Sequence, residues 1–298
     1  MSHLPLTSEE AAERLRGIAL LCGAVFMFTI LDSSAKYAGR FVPTLEVVWA
    51  RYTLSVVFTV IVLRPWRNWR NYATRRPLMQ ALRALFLLLS TAFNFFAIQR
   101  LQLAETSAIT FSAPLITTAL AGPVLGEWAG PRRWAAILVG FVGVIIIVQP
   151  EPGAFNPAAL LSIIAAFCYA GYALTTRLLA PYESPQGLLL YGTLLGAIAL
   201  APVLPFSVEV PPSWLIAAVL ALCGLAATVG HWFLILANRH APATLLAPFN
   251  YTQIIWMVAS GFFVFGDLPG LPTVIGTLII IASGLYVLYR ERVHRDRH

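Results

Sequence analysis

Charge is what this sequence has least of. Only 11% of its 298 residues are Asp, Glu, Lys or Arg, against 59% hydrophobic, and the mean hydropathy is +0.77. Soluble domains carry about a quarter charged residues, and one water-soluble core cannot hide this much apolar surface. A cytosolic enzyme is therefore excluded, and lipid is the expected solvent. Cysteine is scarce as well. Cys22, Cys168 and Cys223 lie inside apolar stretches and follow no CxxC or metal spacing, so neither a disulfide framework nor a zinc site is supported. HExxH, GxSxG and Walker loops are also missing. Their absence removes the usual equipment of an intramembrane protease, a lipid phosphatase or an ATP-driven pump.

What the chain does have is long apolar runs. A membrane-spanning helix needs about 20 mostly apolar residues, and ten candidates meet this: 17–37, 43–63, 78–99, 104–125, 133–149, 157–179, 186–205, 212–236, 242–265 and 269–289. The connections between them leave no room for a sizeable soluble domain. The first 16 residues lack an obvious small-residue cleavage site and read as a retained tail.

Basic residues set the expected orientation, because short cytoplasmic loops retain Lys and Arg. With the N-terminus inside, Arg14, Arg16, Arg64, Arg67, Arg70, Arg75, Arg76, Arg132, Arg133, Arg177, Arg239, Arg290, Arg292, Arg295 and Arg297 fall on the cytoplasmic side, and only Lys36, Arg40 and Arg100 outside. Both termini are thus expected in the cytoplasm of a bacterial-type inner membrane. The cluster Arg64 to Arg76, with Trp66 and Trp69 interleaved, reads as an inner-leaflet lipid anchor and not a nucleic-acid patch.

The two halves look duplicated. Ala24, Phe26 and Lys36 fall on Ala165, Phe167 and Arg177 at a shift of 141, and Gly126–Glu127 on Gly266–Asp267 at 140. Five spans per half is an odd number, so the second half must enter the membrane from the opposite side. The expected fold is an all-α polytopic membrane protein with ten transmembrane helices in two inverted five-helix repeats, residues 17–149 and 157–290, an architecture used by transporters.

The repeat ends carry a resemblance. Ala113, Pro114 and Leu115 lead to Leu125, Gly126 and Glu127 in the first repeat, and Ala247 to Tyr251 lead to Phe265, Gly266, Asp267 and Pro269 in the second. This resembles the drug/metabolite transporter superfamily, in particular members built from two EamA repeats, and covers nearly the whole chain. Asp267, where the family usually has glutamate, is a mild departure. The resemblance implies ten helices, a central cavity and efflux or exchange of small metabolites, with amino-acid exporters the nearest match.

Polar groups inside lipid are costly and should face the protein interior or a wet pathway. Thr29, Asp32 and Lys36 share a face of the first span; Arg83, Ser90 and Asn94 recur along the third; Thr106, Thr110 and Thr117 along the fourth. The second half offers Ser162, Tyr169, Tyr172 and Thr176 on the sixth span, Thr228, His231 and Asn238 on the eighth, and Asn250, Tyr251 and Gln253 on the ninth. The expected substrate contacts are Thr29, Asp32, Ser90, Asn94, Thr110, Tyr169, Tyr172, His231, Asn250, Tyr251 and Gln253. The tyrosines would stack on an apolar side chain while Asn94, Asn250 and Gln253 hold polar ends.

Bland readings stand beside these. Asp32 pairs with either Lys36 or Arg51, Arg83 snorkels to the headgroups, and His231 serves packing. Pro114 and Pro248 each remove a helix hydrogen bond, making a hinge or a static kink. Gly122 with Gly126, and Gly192 with Gly196, permit close helix packing.

The leading expectation is a secondary transporter that exports small amphipathic metabolites, foremost amino acids with apolar or aromatic side chains, by alternating access. The alternative is a drug or other metabolite carrier of the same fold, working in uptake or exchange. A channel is disfavoured by the inverted halves, and an intramembrane enzyme is remote. No cofactor or metal is expected. The partners are a small-molecule substrate and membrane lipid, with a homo-oligomer compatible and nucleic acid not.

Overall fold

A computed structural model describes residues 8–150, 155–202 and 209–295. All regular structure among them is helical. In the first half the helices are α1 (Ser8–Ala38), α2 (Thr44–Leu63), α3 (Pro77–Ile98), α4 (Leu103–Thr110), α5 (Ala113–Leu125) and α6 (Pro131–Val148). In the second they are α7 (Ala158–Leu179), α8 (Pro185–Leu200), α9 (Trp214–His240), α10 (Ala243–Asn250), α11 (Gln253–Ser260) and α12 (Leu271–Arg295). A π-helical turn, Gly261–Phe265, extends α11. The pairs α4–α5 and α10–α11 are each one crossing broken midway, so the helices make ten transmembrane passes. By length and composition eight crossings qualify outright, α8 is a shorter apolar helix of 16 residues, and α10–α11 supplies the tenth.

The fourth and ninth spans are therefore not continuous, as the sequence suggested. α4 stops at Thr110 and α5 starts at Ala113, with Ser112 N donating to Ile109 O at 3.0 Å in a tightened turn. In the second half Tyr251 N donates to Pro248 O and Thr252 N to Phe249 O, at 3.3 and 3.2 Å. The breaks at Phe111 and Tyr251 are 140 residues apart, yet the prolines are not equivalent: Pro114 follows its break and Pro248 precedes its own. Proline has no N–H to give to the carbonyl four residues back; at the second residue of α5 none is needed. The rings of Phe111 and Tyr251 meet edge to face at 5.3 Å, so the two breaks touch where the halves join.

The crossing ends repeat more closely still. Gly126 and Gly266 both take positive φ, 76° and 73°, which only glycine adopts cheaply. Glu127 N donates to Ala121 O and Asp267 N to Gly261 O, while Gly126 N and Gly266 N bond Gly122 O and Phe262 O. Each crossing thus closes on the same six-to-one glycine turn, and each turn presents an acidic residue. Gly126 is a turn residue, with nothing near an added Cβ, and does not pack a helix as expected; Gly122 lies under the Trp128 ring and Gly196 against Tyr52.

α6 carries no polar side chain from Ala135 to Val148, and it packs along α12 through mutual glycines. A Cβ on Gly276 would sit 2.5 Å from the Gly143 carbonyl oxygen, and one on Gly143 would sit 2.8 Å from that of Gly276. A backbone atom cannot swing aside. Gly276→Val is therefore expected to destabilise the protein by roughly 2–3 kcal/mol, read as a lowered unfolding temperature in detergent, whereas Ile275→Val on the outer, exposed side of α12 leaves it near wild type.

Candidate functional site

A cavity of about 290 Å³ lies between the halves. α1 lines it with Phe28, Leu31 and Asp32, and α3 with Leu87, Ser90, Thr91, Asn94 and Phe95, both at the three-and-four spacing of one helix face. Ser107, Thr110, Phe111, Ala113 and Pro114 come from around the first break, and Asn250, Tyr251 and Gln253 from around the second. Ala165 and Tyr169 on α7, His231 on α9, Arg51 on α2 and Leu288 on α12 complete the wall. α6 and α8 contribute no side chain to it.

Of the residues expected to contact substrate, Asp32, Ser90, Asn94, Thr110, Tyr169, His231, Asn250, Tyr251 and Gln253 come together here, with Pro114 beside them. Thr29 and Tyr172 do not. The Thr29 hydroxyl donates to Val25 O, and the residue lines a separate, mostly apolar groove between α1, α9 and α11. Tyr172 is held by Arg83. Pro248 lies in α10 outside the wall.

Two polar links knit the cavity floor. Asn94 Nδ2 donates to Asp32 Oδ1 at 3.1 Å, and Ser90 Oγ donates to Ala165 O at 3.0 Å, joining the halves. His231 Nδ1 meets Ala227 O at 2.8 Å, and its ring stands edge-on to Phe28 at 5.0 Å. The Tyr251 hydroxyl passes so close to Gly284 that no larger residue fits there.

Arg83 does not snorkel. It is 3% exposed, with Nε donating to Thr176 Oγ1 at 2.8 Å, Nη1 to Leu188 O at 2.9 Å and Nη2 to the Tyr172 hydroxyl at 3.1 Å. As the seventh residue of α3 it has its head near enough to α7 and α8 to give its donors to them, so it ties three helices together.

Lys36 is not the partner of Asp32 either. Its Nζ donates to Leu101 O at 2.7 Å and pairs with Asp267 Oδ2 at 3.2 Å, and it lies 5.2 Å from the Phe265 ring centre. On the opposite face, where α1 begins, Arg177 Nη2 pairs with Glu127 Oε1 at 3.1 Å. These are equivalent pairs: Lys36 and Arg177 are repeat mates, as are Glu127 and Asp267. Each bond takes its base from one half and its acid from the glycine turn of the other. The Lys36 pair is the drier, with side chains 11% and 31% exposed against 51% for both members of the Arg177 pair.

Arg51 is the residue that sequence reasoning undervalued, naming it only as a partner for Asp32. It is 2% exposed, its guanidinium lies 4.1 Å from the centre of the Tyr52 ring, and it reaches the cavity wall from a span with no other charge past its first turn. A charge in the middle of an apolar helix was the available signal.

Known proteins share both sequence and shape with this chain. The model of the EamA-like transporter family matches twice, at residues 15–149 and 156–289. An S-adenosylmethionine uptake transporter of Rickettsia prowazekii is 28% identical over 281 residues, covering 93% of this chain and 94% of the relative. A riboflavin transporter of Vibrio cholerae is 26% identical over 296 residues, covering 95% and 97%. A protein crystal structure superposes with a TM-score of 0.65 at 17% identity, covering 93% of this chain and 98% of its own. These named relatives are not amino-acid exporters, so they do not support the match expected from the repeat ends. The chain belongs to the EamA-like transporter family of the drug/metabolite transporter superfamily, as a multi-pass membrane protein with two copies of that repeat.

Proposed function

We propose that this protein is a secondary carrier that moves a small organic metabolite through the central cavity by alternating access, with uptake or exchange favoured over export of amino acids. One observation carries the reading: a largely apolar cavity studded with polar side chains at the seam of two inverted halves, bounded on opposite faces by repeat-related ion pairs. Breaking one pair while the other holds would open one face at a time, which is what inverted repeats permit. The cavity suits a solute with a ring and a polar end. Tyr169, Tyr251, Phe95 and Phe111 offer aromatic faces and edges, while Asp32, Asn94, Asn250 and Gln253 offer hydrogen bonds. The distribution of Arg and Lys supports cytoplasmic termini, which places the Lys36 pair outside and the Arg177 pair inside.

The names of the relatives give the first solutes to try, S-adenosylmethionine and riboflavin. Counterflow in proteoliposomes is the test. Labelled solute should accumulate against preloaded unlabelled solute in wild-type vesicles, and Asn250→Ala with Gln253→Ala should slow entry at least about tenfold, equivalent to about 1.4 kcal/mol of lost contact, at unchanged expression. No movement of either solute, or of a wider panel of amino acids, nucleosides and cationic dyes, would sink the carrier reading.

A further inference from the structure

Among the described residues the buried cations are satisfied with one exception. Lys36 has a carbonyl and a carboxylate, and Arg83 has three acceptors. Arg51 is buried as deeply and its guanidinium rests on the Tyr52 side chain, yet its Nε and Nη1 have no hydrogen-bond partner. A guanidinium taken out of water with two of its three nitrogens unmet is strongly unfavourable, so such a group is kept where something else supplies an anion. Asp32 is on the same wall, accepts one bond from Asn94, and forms no ion pair with Arg51 or any other described residue. The cavity wall therefore carries one cation and one anion that form no direct ion pair with each other.

That arrangement selects its ligand by chemistry. A guanidinium fork matches a carboxylate or a phosphate. A phosphate carries up to two negative charges, and the Asp32 carboxylate on the same wall would repel it. A carboxylate accompanied by an ammonium group meets both charges and enters the cavity as a neutral pair. Resting on the carrier reading above, we propose that Arg51 and Asp32 read a zwitterionic α-amino-acid head, Arg51 the carboxylate and Asp32 the ammonium, of a solute whose ring-bearing body lies against Tyr169 and Tyr251. The sequence supplies the two charges from neighbouring helices, α1 and α2, so the head binds the first half and the body reaches the second.

The probes are S-adenosylmethionine, its decarboxylated analogue, which keeps the ring and the amine but lacks the carboxylate, and riboflavin, which has no amino-acid head. Two readouts are used on the purified full chain: thermal stabilisation in detergent, which reports binding alone, and counterflow in proteoliposomes. In wild type, S-adenosylmethionine should bind at least about 30-fold more tightly than the decarboxylated analogue. Arg51→Gln should abolish that preference while leaving the weaker binding of the analogue in place, Arg51→Lys should restore part of it, and Asp32→Asn should weaken both amine-bearing probes together. The retained binding of the analogue shows that the Arg51 variants are folded. Equal binding of the two analogues by wild type, or a preference that survives Arg51→Gln, overturns the proposal, as does a site that takes riboflavin alone. If binding follows the expected pattern but nothing is transported, the head-group site stands and the carrier reading falls. If riboflavin moves and the zwitterion does not bind, the reverse holds.

Discussion

Lys36→Glu is expected to cut transport at least about tenfold, and the double exchange Lys36→Glu with Asp267→Lys to recover most of it. The single change puts two carboxylates where an ion pair stood, 3.2 Å apart in a site only partly open to water, and leaves Leu101 O without its donor. A partly buried pair of this kind contributes on the order of 2 kcal/mol, enough to shift a two-state equilibrium roughly 30-fold, so a carrier that must close this face would spend its time open. The exchanged pair restores the attraction in the opposite sense, although Asp267→Lys reaches Leu101 O poorly, so recovery stays incomplete. The matching change Arg177→Glu should be milder, two- to threefold by the same scale, because both its partners are half exposed and exposed pairs contribute less than about 1 kcal/mol. Counterflow rates for the singles and the double form a mutant cycle that reads the coupling directly. Equal losses in Lys36→Glu and the double variant would show that the lysine acts alone.

Arg83→Met is expected to be the most destabilising single change in the protein, by about 3 kcal/mol or more. Its guanidinium links α3 to Thr176 and Tyr172 on α7 and to the Leu188 carbonyl at the start of α8. Removing it takes the donor from all three acceptors, of which the Leu188 carbonyl is buried and the two hydroxyls half-buried. Arg83→Lys should recover little, because one ammonium cannot reach three acceptors spread over two helices as a planar fork does. The measurement is thermal unfolding in detergent, with both variants well below wild type. A lysine variant as stable as wild type would mean that charge alone matters at this position. Because α3 also supplies five residues of the cavity wall, a shift of α3 should lower transport in whatever protein does fold.

Much of the site could be read from the chain because polar residues on apolar helices have few places to go. Asp32, Ser90, Asn94, Thr110, Tyr169, His231, Asn250, Tyr251 and Gln253 reach one cavity for that reason. Helical phase alone could not say which neighbour a face meets. Thr29 and Lys36 share a face with Asp32, but α1 runs between two grooves, so Thr29 turns to its own backbone, and the long side chain of Lys36 reaches the opposite half. Arg51 was visible as a charge within an apolar span, but that two of its nitrogens lack a partner is something only the packed arrangement reveals. Pro114 and Pro248 pointed to bends in these two crossings without fixing the breaks at Phe111 and Tyr251, because one proline follows its break and the other precedes it, while positive φ explains the glycines that end each crossing.

The crossed ownership of the two ion pairs has a consequence for how such a chain could arise. A five-helix half standing alone would carry an unmatched cation at one end and an unmatched anion at the other. Two copies of that half, inserted upside down relative to one another, would settle both debts at once, the base of each meeting the acid of its twin. Fusing the genes of such an antiparallel couple would need no new electrostatics, and the copies could then drift apart, as Lys36 and Arg177 or Glu127 and Asp267 have, so long as the signs stayed matched.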